Sequence, residues 1–65
     1  LLQLARLAIG DADGTVRVGG AEILGRLVHE GGDQPVAQQA RAELVALQQD
    51  GDHRVVAAAL NGLSA

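Results

Sequence analysis

The chain contains no cysteine, no methionine, no phenylalanine, tyrosine or tryptophan, and no lysine. Without cysteine there is no disulfide, no thiolate nucleophile and no cysteine-ligated zinc, which fits a reducing compartment. Without aromatic rings there is no platform on which a base can stack. The cations are five arginines, Arg6, Arg17, Arg26, Arg41 and Arg54, scattered among eight acids for a net charge of −3. No basic face can be assembled from them, so nucleic acid is not an expected partner. No apolar run approaches the ~20 residues of a membrane span, and residues 1–8 lack the basic flank of a signal peptide. A cytoplasmic protein with no membrane partner is the expectation.

What is present is aliphatic and small, with leucine, valine and isoleucine, many alanines and nine glycines in 65 residues. A chain this short buries only about 60% of the surface its unfolded form exposes. Its core is expected to be marginal and to lean on further repeats of a longer chain or on a second copy. The start at Leu1 and Leu2 points the same way, to a trimmed chain or a segment of a longer one.

The stretch from Gly10 to Leu27 organises the rest. Two acids and a glycine form a loop that can cap a helix, and Val16, Gly20, Ile23, Leu24 and Leu27 then fall on one face at helical spacing. The layout returns 39 positions on, where Asp11, Asp13, Val16, Gly20 and Leu24 are matched by Asp50, Asp52, Val55, Ala59 and Leu63. A half-period of 20 is visible in Leu4, Leu24 and Leu44, and again in Leu7, Leu27 and Leu47. Each unit is one helix and one short loop, so neighbouring helices run antiparallel and one full period is a helical hairpin.

Taken in order, Leu1, Leu4, Ala5 and Ala8 form a stripe on a helix over residues 1–9, which Gly10 stops as a residue suited to a left-handed cap. Asp13 or Thr15 caps a second helix over 15–29. Gly19 and Gly20 inside it each cost about 1 kcal/mol relative to alanine, a cost that close approach of a neighbouring helix would offset. The competing reading of residues 15–18 is a short strand, from their alternation and β-branched content, but only residues 54–56 offer anything to pair with it. Gly31 and Gly32 break the chain, Asp33 is expected to cap, and Pro35 sits in the first turn of a helix over 34–49 striped by Val36, Ala40, Leu44 and Leu47. After Asp50, Gly51 and Asp52, a last helix over 53–64 is striped by Val55, Ala59 and Leu63.

The run Gly10-Asp11-x-Asp13-x-x-Val16-Arg17, followed by Ala21-Glu22-x-Leu24-Gly25-Arg26-Leu27, resembles the second-helix signature of HEAT and HEAT-like repeats of the kind also found in bilin lyases. The resemblance covers most of the chain. It implies an all-α fold, a short α-solenoid of about two antiparallel helical hairpins, with four helices in one module over 1–65. In that family an aspartate in the turn and an arginine six residues later hydrogen-bond along the stack, and Asp11 and Arg17 have this spacing. The second copy departs from it, because Val56 stands six residues after Asp50, and Pro35 lies at a helix start where the family often has proline within the first helix. Asp11-x-Asp13-Gly14-x-Val16 is also similar to the middle of an EF-hand loop, but the first ligand position would be Ile9 or Gln48 and the bidentate glutamate position Gly20 or Ala59. Calcium needs six to eight oxygens, so such a pair would be a degenerate one that binds no calcium.

No residue set amounts to a catalytic or metal site. Asp11 and Asp13 are explained as capping acids, while His29 with Glu30, and His53 with Asp50 or Asp52, fall in different loops. No serine or cysteine stands beside a base, and no enzyme activity or cofactor is expected. What remains is surface. The resemblance implies that second helices line a concave face, which carries Arg17, Val18, Glu22, Gly25, Arg26 and His29, and then Arg54, Ala58 and Asn61, toward a protein or peptide. Val18 and Val28 lie off the main stripe, as though a further helix covered them. The expected function is a protein-interaction or scaffolding module; the alternative is an accessory segment of a lyase-type enzyme.

Overall fold

Four helices joined by three short turns make up the computed structural model, which describes residues 1–64: α1 (Leu2–Ile9), α2 (Gly14–Gly31), α3 (Pro35–Leu47) and α4 (His53–Leu63). Among the described residues there is no strand, and residues 15–18 are helical. The starts of α2 and α4 are written in the same chemistry. Asp13 accepts the Thr15 N–H at 2.8 Å and Asp52 accepts the Arg54 N–H at 2.9 Å, each filling one of the donors that a helix start leaves unpaired.

Two local expectations are corrected. Asp33 does not cap α3; Gln34 holds the cap position with no side-chain bond, and Pro35 in the first turn removes one of the donors a cap would serve. Gly10 ends α1 in a right-handed conformation, with φ −91°, and among the described residues the one positive-φ glycine is Gly32 at 57°. That glycine lets α2 run on through Gly31 before the chain reverses.

The long helix α2 is the centre, packed against α1, α3 and α4, while α3 and α4 also touch one another. Leu24, Leu44 and Val55 are the largest side chains fully withdrawn from water, and Ala5, Ala21, Ala40 and Ala59 fill the space between them. Side chains this short hold helices together only if the backbones come close. A Cβ on Gly25 would lie 3.1 Å from the Gly62 Cα, so α2 and α4 cross nearly backbone to backbone there. The Cα radius of gyration is 10.3 Å, against the roughly 10.7 Å of an average compact chain of this length.

Because α2 meets neighbours on several sides, Val28 is buried in the core and Val18 packs against it, so no further helix is needed to cover either. The apolar stripes also run past the core. Val16 is 40% exposed and Leu4 56%. No helix is long and apolar enough to cross a membrane, among the described residues.

Candidate functional site

Two places gather several polar side chains each. The first is the pair of turns ahead of α2 and α4. Asp11 and Asp50 each fold their carboxylates back on the chain, accepting the N–H of Asp13 and of Asp52 at 2.8 Å in both copies. Arg17 joins the copies. Its Nε and Nη2 donate to Asp50 Oδ2 and Oδ1 at 2.9 and 3.1 Å, and its Nη1 donates to the carbonyl oxygens of Asp11 and Ala12, both at 2.9 Å. A planar guanidinium suits this fork-to-fork contact as an ammonium would not. Beside it, Arg54 pairs with Asp52 at 2.8 Å and donates to the Thr15 hydroxyl at 3.2 Å, so the starts of α2 and α4 are tied twice.

Electrostatics follow from these bonds. Hydrogen bonds from Arg17, and then from the Asp52 N–H, hold the Asp50 carboxyl below the ordinary carboxylate value, while the two arginines are pushed upward by their acids. Asp52 is lowered to about 2, first by the Arg54 side chain and then by the Arg54 N–H. A depressed folded pKa contributes stability above the unfolded value of 3.8 and loses it as pH falls through the folded value. Stability should therefore decline as the medium is acidified from about pH 4 toward pH 2. Urea midpoints measured across that interval check it: Asp50→Asn is expected to be weaker near neutrality and to lose less on acidification than the parent. An unchanged acid slope in Asp50→Asn would count against the pair as a source of stability.

The second place is an open groove of about 470 Å³ where α2 and α4 cross. Its floor is made by Gly25, Gly62 and Ala21, and its rim by Glu22, Arg26 and His29 from α2 with Ala58 and Asn61 from α4. The floor is shallow because the two glycines bring backbone, rather than side chains, to the crossing. Glu22, Arg26 and His29 share one edge through their spacing of four and then three residues. The ion pairs among the described residues are Arg6–Glu43, Arg17–Asp50 and Arg54–Asp52, so Arg26 enters none of them.

Of the residues expected on a concave face, Glu22, Gly25, Arg26, His29, Ala58 and Asn61 gather in this groove. Arg17 and Arg54 do not; they are held in the turn network by Asp50 and Asp52. Val18 packs against the core. Sequence reasoning missed two links, the reach of Arg17 to the aspartate of the following copy and the pairing of Arg6 with Glu43 at 2.9 Å between α1 and α3. The first had a signal, since the 39-residue repeat maps Asp11 onto Asp50; the second had none. Among the described residues no three histidines or carboxylates come together as a metal-holding group. Set beside family models, curated proteins and solved structures, the chain matches none of them.

Proposed function

We propose that the chain is a non-catalytic interaction module, two HEAT-like helical hairpins stacked in solenoid fashion, that takes a protein or peptide segment in the groove between α2 and α4. The single observation that carries this is the link between copies. The same turn bonds recur 39 residues apart, and Arg17 of the first joins Asp50 of the second through a bidentate pair. Two hairpins related in this way set their inner helices side by side, and the groove between them offers an unpaired guanidinium, a carboxylate, an imidazole and an amide over a glycine floor. Such a surface suits an extended or helical segment held by a few directed hydrogen bonds, and its shallow form gives little purchase to a small molecule.

Site-specific photo-crosslinking tests this in the cell of origin. A photoreactive residue in place of Glu22, on the groove rim, should capture a discrete protein or peptide, and one in place of Gln39, on the exposed outer side of α3, should not. Arg26→Glu in the same chain should weaken the capture. Equal capture from both positions, or none from Glu22, would overturn the assignment of the groove.

A further inference from the structure

The buried side of α2 fixes its open one. Leu24, near the middle of the helix, is wholly buried, and Glu22 and Arg26, two residues to either side of it, are turned about 160° around the helix and exposed. Their exposure follows from the burial of Leu24 and owes nothing to where the chain starts or stops. A glutamate four residues ahead of an arginine is placed to pair with it along one helix. Neither residue enters an ion pair among the described residues, so an acid and a base stand about 6 Å apart along the axis with both charges unmet. Arg41, likewise outside the ion pairs, has Ala37 and Val45 at that spacing and no acid. On the same side of α2, His29 carries a ring, while Gly19 carries no side chain and would meet nothing within 4 Å if given a Cβ. Gly19 and His29 lie equally far from Leu24, one before it and one after.

We infer that this face docks a second copy of the chain, α2 against α2 and antiparallel, about a two-fold axis at the level of Leu24. The inference rests on the reading of the groove as an interaction surface and names its occupant. In an antiparallel pair centred there, each residue is level with the partner's residue equally far on the other side of Leu24, so Glu22 meets the partner's Arg26 and Arg26 meets the partner's Glu22. The face is its own complement. The same register sets the ring of the partner's His29 level with Gly19, where the missing side chain leaves room, and sets Glu30 level with the partner's Val18, so that no two like charges come opposite along α2. Sliding the pair by one turn in either direction would set Glu22 against a glutamate, the partner's Glu30 or the partner's Glu22. Charge thus selects the register as well as the partner. A two-fold contact closes on itself and stops at a dimer.

Sedimentation velocity from micromolar to millimolar concentration should show the parent in reversible equilibrium between monomer and dimer, and added salt should weaken the dimer, because the cross-pairs are exposed. Glu22→Arg makes the face basic and Arg26→Glu makes it acidic. Each variant alone should associate about ten- to a hundredfold more weakly than the parent, since attraction at both cross-pairs becomes repulsion. Mixed in equal amounts, the two should form a mixed dimer as tight as the parent's. Glu30→Gln should leave association unchanged. A parent that stays monomeric, with helix content intact by circular dichroism, overturns the inference, as do two charge variants that fail to join when mixed. A loss of association in Glu30→Gln overturns it too, by putting the contact in another register. Crosslinking from the position of Glu22 separates this from the broader reading. Capture of an unlike protein by a chain that remains monomeric leaves the groove as a binding surface and removes the second copy; capture of nothing by such a chain removes both.

Discussion

Leu44→Ala is expected to remove about 2–5 kcal/mol of stability, the range found for deleting a buried leucine where the surroundings cannot collapse. The surroundings here are unusually unable to do so. Leu44 is fully buried, and a Cβ on Gly62 would lie only 3.0 Å from its Cδ1, so its neighbours include backbone and alanine methyl groups with no torsions to swing into a void. A domain of this length has on the order of 3–10 kcal/mol to lose. The substitution should therefore leave little or no cooperative transition in urea at room temperature. Leu7→Ala is the matched control: that side chain is 75% exposed and its loss should change stability by less than about 0.5 kcal/mol. A Leu44→Ala chain that unfolds within about 1 kcal/mol of the parent would mean that the core is looser than its burial implies.

The contrast between Val16 and Val55 also measures what was legible in the sequence. Val16 and Val55 occupy equivalent places by the 39-residue period, yet Val55 is buried and Val16 is open to solvent. A periodic stripe records every face that the repeat is able to bury; it does not record which of those faces has a neighbour. Val16 fails as a core position for this reason. Leu24, Leu44 and Val55 succeed because helices lie over them on the central side. Position among the four helices, which no local spacing carries, decides between the two outcomes.

The candidate site divides along the same line. Glu22, Arg26 and His29 were readable as one edge because a single helix spaces them, and Asn61 joins them through the 39-residue repeat. Arg17 and Arg54 stand outside the groove because their partners are set by the turns, where a carboxylate held by its own backbone is a better host for a guanidinium than open water. The spacing of Asp11 and Arg17 matched a family pattern of aspartate–arginine hydrogen bonds along a stack. The structure keeps a form of it, through the Asp11 carbonyl oxygen, and sends the fork of the arginine to Asp50 instead.

Glycine placement separates two neighbours that sequence alone treats as equal. Gly19 and Gly20 adjoin in the middle of α2, and an offset by close approach was expected for both. It exists for one. A Cβ on Gly20 would lie 2.7 Å from Ile9 Cγ2, 2.9 Å from Ala8 Cβ and 3.0 Å from the Ile9 backbone nitrogen, whereas a Cβ on Gly19 would meet nothing within 4 Å. Gly20→Val therefore cannot be absorbed by turning one flexible tip aside, because a methyl group fixed to the backbone and the backbone itself are in the way. It should cost about 1–3 kcal/mol by overpacking. The damage should be local first, since α1 is only eight residues long and too short to persist as an isolated helix. Amide hydrogen exchange in residues 5–9 should accelerate to near unprotected rates while α2, α3 and α4 keep their protection. Gly19→Ala, one residue away, should instead raise stability by about 0.5–1 kcal/mol through helix propensity and a less disordered unfolded chain. Shifts of the same sign from the two substitutions would show that α1 is not seated against Gly20.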